Sequence, residues 1–244
     1  MMIALFTDFG LRGPYVGQMK ARLFSSGFAG PVVDLLHDGP AMDPRAAAYL
    51  LEPFSRYLPE GAVVLAVVDP GVGTEARDGC VIRADGRWFV GPDNGLFEFV
   101  QRRAAEVERW PLPAAPEGAS PTFHGRDVFA DIAAAVAIGT WRSEQAAAGG
   151  PRFPDWGDDT PYVLYIDDYG NAMTGIRGEA LADTAILQAG EHRLVHATTF
   201  GRMPAGAGFW HRNSSGLVEV SVNLGHAAHT FDLAPGSLVR LLRP

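Results

Sequence analysis

Short apolar runs alternate with helix-period segments through the first part of this chain. Met1 to Phe6 is an apolar run that stops at Thr7-Asp8-Phe9-Gly10, the pattern of a buried strand delivering Asp8 to a loop. Tyr15, Met19 and Leu23 share one helical face, and Pro14 suits a first turn, so residues 14–26 are expected to be helical. Residues 32–36 read as a second strand. Residues 44–58 read as a second helix, with Asp43 as its N-cap and Pro53 placed to kink or shorten it. A third strand over residues 62–68 ends at Asp69, and the glycine loop Pro70-Gly71-Val72-Gly73-Thr74-Glu75-Ala76-Arg77 follows.

Beyond that loop, two apolar runs flank Asp85-Gly86, a hairpin signal. Gly91-Pro92-Asp93-Asn94-Gly95-Leu96 is a polar loop leading to a short helix through about Arg103. Four prolines make residues 111–121 an irregular crossing. Phe123-His124-Gly125-Arg126-Asp127 opens an alanine-rich helix to Ile138. Strand–helix alternation to this point argues for an α/β domain over residues 1–145 with a mostly parallel sheet. Residues 146–159 read as a linker. The short apolar runs at 162–166, 185–188, 217–222 and 238–242, separated by turn residues, predict a smaller all-β domain over 160–244.

Composition narrows the possibilities. The 244 residues are 47% hydrophobic and 20% charged, ordinary for globular chains, and the formal net charge is -8. Phosphate binding needs a basic face and none is visible, so a nucleic-acid partner is not expected. The single cysteine, Cys80, lies in an apolar strand pattern and reads as a buried structural thiol. The start has no basic n-region or long h-region, and no apolar run reaches the roughly 18 residues of a membrane span, so a cytoplasmic location is expected.

The glycine loop fits G-x-G-x-x-A and also resembles the acidic glycine loop of many methyltransferases. Both need a helix directly after the loop, and a hairpin follows here. Asp8, Asp69 and Arg77 have bland readings as turn and surface residues. His124 sits beside a glycine and two charges at a helix start, a setting that suits proton handling. Two later polar clusters, Tyr165-Ile166-Asp167-Asp168-Tyr169-Gly170-Asn171 and Phe209-Trp210-His211-Arg212-Asn213-Ser214-Ser215-Gly216, are explicable by turn chemistry alone. His192 and His196, and His226 and His229, have metal-like spacings but no supporting ligands, so no metal is expected.

Taken together and in order, Thr-Asp-Phe-Gly at 7–10, Val-Asp-Pro-Gly-Val-Gly-Thr at 68–74 with Arg77, Gly-Pro-Asp-Asn-Gly-Leu at 91–96, Phe-His-Gly-Arg-Asp at 123–127, Ile-Asp-x-Tyr-Gly-Asn at 166–171 and Asn-Ser-Ser-Gly at 213–216 span nearly the whole chain. This set resembles the S-adenosylmethionine (SAM) hydroxide adenosyltransferases, or SAM hydrolases, relatives of the fluorinase and chlorinase. The resemblance implies an N-terminal α/β domain, a C-terminal β-barrel and a homotrimer with sites between neighbouring subunits. It implies attack of water or hydroxide on the ribose 5′ carbon of SAM, which is the substrate, with no cofactor. Its Asp–Arg–His set maps onto Asp69, Arg77 and His124. Ribose binding maps onto Asp8, and binding of the methionine end onto Asp167 and Ser214. Tyr169 and Asn171 match positions near the adenine. Trp210 and Asn213 are added because an aromatic face and an amide suit a purine.

A halide nucleophile is the nearest rival, since halogenating relatives share the scaffold. They look uncharged where this chain has Asp69 and His124, and a carboxylate repels an anion, so the ionisable pair favours water. A non-catalytic SAM or nucleoside-binding protein is the rival from another class. Two positions depart from the family pattern: Asp131, where a proline or small residue is expected, and Thr174-Gly175, where Thr-Asn is usual.

Overall fold

Parallel pairing organises the first part of the chain. The computed structural model describes residues 1–74, 79–143 and 146–242. They divide into two units, Met1–Pro154 and Asp155–Pro244. In the first unit, β1 (Ile3–Thr7), α1 (Tyr15–Ser25), β2 (Val32–Leu36), α2 (Pro44–Ser55) and β3 (Val63–Val67) alternate. Asp43 caps α2 by accepting from the Ala46 N–H at 2.9 Å, and Pro53 lies inside the helix two residues before its end. β4 (Gly79–Ala84) and β5 (Arg87–Pro92) form the expected hairpin. Its turn residues Asp85 and Gly86 both have positive φ, 44° and 77°, as a type I′ turn requires. α3 (Glu98–Arg103), β6 (Val107–Pro111), α4 (Ala130–Ala137) and β7 (Ala147–Ala148) complete the unit.

The strand order is β2-β1-β3-β5-β4-β6-β7. β2, β1, β3 and β5 pair in parallel; the pairings of β4 with β5, β4 with β6 and β6 with β7 are antiparallel. The sheet is therefore less parallel than its strand–helix alternation suggested, because the Asp85-Gly86 turn reverses the chain without a crossover helix. β7 and the Arg152 and Phe153 N–H groups, which donate to Glu98, tie part of the segment expected as a linker to the first unit. Alternate residues of the central strands (Ile3, Leu5, Val63, Leu65, Val67) pack with α1 and α4 in one buried cluster. α2 and α3 pack on each other and add nothing to it, so helices cover both faces.

The second unit contains β8 (Thr160–Ile166), β9 (Ala172–Arg177), β10 (Ile186–Ala189), β11 (His192–Leu194), β12 (Gly208–Arg212), β13 (Leu217–Val222), a single helical turn α5 (Ala227–Thr230) and β14 (Val239–Leu242). Its antiparallel sheets run β12-β13-β9-β8 and β11-β10-β14. Trp210 and Val218 sit in its core. Among the described residues, no helix is long and apolar enough to cross a membrane.

Candidate active site

The strand order reverses between β1 and β3: β2 lies on one side of β1 and the chain then crosses to the other. Ligands of open α/β sheets bind beyond the carboxyl ends of the strands at such a point. Thr7 is in register with Val67 there, so Asp8 and Asp69 leave neighbouring strands at the same edge. A cavity of about 430 Å³ opens above them, lined by Asp8, Phe9, Tyr15, Met42, Asp69, Phe123 and His124 among others.

Local backbone chemistry shapes this cavity. Gly73 has φ 79°, and a Cβ on it would lie 2.1 Å from the Pro121 carbonyl oxygen. Only glycine lets the loop from Asp69 pack so closely on the segment leading to His124. His124 begins a π-turn, Gly125–Phe129, that runs into α4; such wide turns are frequent at functional sites. Asp127 holds the approach, accepting from the Ser120 N–H at 2.9 Å and from Arg126, whose guanidinium keeps its pKa down to about 2. Phe9, Tyr15 and Phe123 meet edge to face, with ring centroids 5.5–5.9 Å apart, giving the cavity an aromatic wall.

Asp8 is half-buried. One carboxylate oxygen accepts from the Met42 N–H at 2.8 Å, with Met42 held at φ 56°. Burial raises the Asp8 pKa, the Met42 N–H opposes the rise, and the charge on Asp69 adds to it. Asp69 accepts from the Gly71 N–H at 3.2 Å. Arg77 lies outside the described residues.

The second unit has its own cavity, about 800 Å³, lined by Asp167, Tyr169, Asn171, Asn213 and Ser214 together with Phe200, His211 and Glu219. Asp167 closes a turn: its carboxylate accepts from the N–H groups of Tyr169 and Asn171 and from the Asn171 side chain, at 2.8–3.0 Å. Asn213 does the same for the next loop, accepting from Ser215 and Leu217 and donating to Glu219 at 2.9 Å. Trp210 is not brought to this cavity. It is fully buried, and its indole N–H donates to the Ala185 carbonyl at 3.0 Å, so its ring packs the core and offers no face to a purine. Sequence reasoning missed the buried pair His211 and Glu219, 3.2 Å apart. The signal was a carboxylate inside the apolar run 217–222 with a histidine on the strand before it. Among the described residues, no group of three or more His, Cys, Asp or Glu side chains could hold a metal ion.

Residues 3–146 match the N-terminal domain model of the SAM hydroxide adenosyltransferases, and residues 161–240 match the C-terminal one. The chain belongs to the SAM hydroxide adenosyltransferase family. A (R)-S-adenosyl-L-methionine hydrolase of Thermus thermophilus is 42% identical over 98% of this chain and 99% of its own. One of Salinispora arenicola is 36% identical over 98% and 97%. The crystal structure of an uncharacterised conserved protein from Thermotoga maritima, 27% identical, superposes at TM-score 0.84 with both chains fully covered. The two departures from the family pattern are locally compensated. Asp131 accepts from Arg22 and Ser26, tying α4 to α1; burial works to raise its pKa, and those hydrogen bonds more than reverse it. Gly175 leaves no room for a side chain, since a Cβ there would lie 2.2 Å from the Thr160 methyl.

Proposed function

We infer that this member of the SAM hydroxide adenosyltransferase family hydrolyses (R)-S-adenosyl-L-methionine to adenosine and L-methionine. The observation that carries this is the full-length match to relatives of that name, 42% identical in the nearer of the two described. The oxygen of water bonds to the ribose 5′ carbon. The C5′–S bond breaks with its electron pair going to sulfur, methionine leaves as a neutral thioether, and one proton is released. A sulfonium is already an activated leaving group, so the reaction calls for no cofactor. The protein's task is to align one small nucleophile in line with the C–S bond and control its solvation.

Asp69, Arg77 and His124 are proposed to hold that water and shift its proton distribution. Their placement around one cavity supports Asp69 and His124 in this role. Asp8 binds the ribose hydroxyls through its ionised carboxylate. In the second cavity, Asp167 and Ser214 take the methionine end, while Tyr169, Asn171 and Asn213 lie toward the adenine. The recognition groups are divided between two cavities, one per unit. This division suits the homotrimer that the family resemblance implies, in which one subunit's first cavity and its neighbour's second cavity form one site. The bridges Tyr162–Leu238 and His196–Trp210 join strands of the two C-terminal sheets and support their closure as a barrel. Incubating purified protein with SAM, with and without chloride or fluoride, tests the activity by chromatography. Adenosine and methionine independent of halide support it. A 5′-halo-5′-deoxyadenosine, or tight SAM binding without turnover, would overturn it.

A further inference from the structure

The loop 91–96 has no part in the reaction as described, yet it reaches the strand that carries Asp69. β3 and β5 keep parallel register only as far as Leu65 and Val90. Past that point Gly91 runs so close to β3 that a Cβ on it would lie 2.1 Å from the Ala66 carbonyl oxygen. Asn94 then takes over. Its side chain is buried, its amide donates to the Val68 carbonyl at 2.9 Å, and its Oδ1 accepts from the Leu96 N–H at 3.2 Å. The Val68 carbonyl belongs to the peptide unit that ends at the Asp69 nitrogen, so this bond fixes the plane from which Asp69 departs.

The loop is itself anchored. Asp93 pairs with Arg109 and with Arg152, and Leu96 is fully buried. Asn94 therefore reaches Val68 from a rigid support. A turn asparagine needs only the local bond to Leu96; the donation to Val68 spans 26 residues of sequence and ends one residue from the proposed water-holding carboxylate. We propose that Asn94 is a positioning residue for Asp69, holding its backbone so that its carboxylate meets the attacking water. This rests on the reading of Asp69 given above.

The test crosses two Asn94 variants with Asp69→Asn and measures kcat and KM for SAM. Asn94→Asp keeps the shape and the bond to Leu96 but loses the donor; Asn94→Ala loses both. Misplacement of a reacting group by about 1 Å costs on the order of a hundredfold in rate. Each Asn94 variant should therefore lower kcat about 10- to 100-fold, leave KM within about threefold, and cause no further loss in the Asp69→Asn background. Asn94→Asp carries the test if Asn94→Ala does not fold. An unchanged kcat, a loss confined to KM, or an equal loss in both backgrounds would overturn the positioning role while leaving Asp69 in place. Wild-type kcat in Asp69→Asn alone would remove Asp69 from the mechanism, and this proposal with it.

Discussion

Thr7 and Val67 are register partners on adjacent parallel strands, and that pairing brings Asp8, one residue on, and Asp69, two residues on, to the same end of the sheet. Burial is the larger cause of the raised pKa of Asp8, and the charge on Asp69 adds to it. Adenosine affinity, measured by calorimetry, should fall as pH drops through the raised pKa of Asp8, because a protonated carboxyl accepts ribose hydroxyls poorly. In Asp69→Asn that fall should move to lower pH. An unmoved profile would show that the two groups are not coupled.

The same shift has a sign for stability. Asp8 titrates higher in the folded chain than its ordinary 3.8. Its contribution to stability is thus fully present below that value and lost as pH rises through the folded pKa. At neutral pH its charge is a liability, so Asp8→Asn should raise Tm while weakening adenosine binding. A lower Tm would contradict this.

Gly73→Ala places a methyl group against the Pro121 carbonyl at a positive φ. Strain of this kind costs about 1–3 kcal/mol. For a chain of this size that is a fall in Tm of roughly 2–12 °C. The loop from Asp69 should also move off the segment bearing His124, with kcat lowered more than KM is raised. A variant with wild-type kcat would show that this packing does not set the site.

Trp210→Ala should behave as a core deletion, costing about 3–5 kcal/mol. Trp210→Phe, which keeps most of the packing, should leave SAM affinity unchanged. A large affinity loss in Trp210→Phe with little change in Tm would return Trp210 to the binding site.

Local signals carried much of the fold. The Asp43 cap and the Asp85-Gly86 hairpin each depend on neighbours a few residues away, and each is present; the buried face of α1 is Val16, Met19 and Leu23, whereas Tyr15, expected on it, is exposed. What the sequence concealed depends on distant partners. β6 was hidden because its side chains are mixed; its place is set by antiparallel pairing to β4 and by Asp85, which accepts from Ala105 and Glu106. Trp210 was expected to face a purine, but it belongs to strand β12, where its indole points into the core. The juxtaposition of Asp8, Asp69 and His124 was legible only through ordered motifs, since a strand end, another strand end and a helix start share no local pattern. Arg77 falls outside the described residues.

The site of attack is the central claim, and isotope labelling reads it directly. Purified enzyme should be incubated with SAM in H2¹⁸O and the products analysed by mass spectrometry. Attack on the ribose 5′ carbon predicts one ¹⁸O in adenosine, at the 5′ hydroxyl, and none in methionine. Unlabelled adenosine, or label in an amino-acid product accompanied by methylthioadenosine, would contradict it.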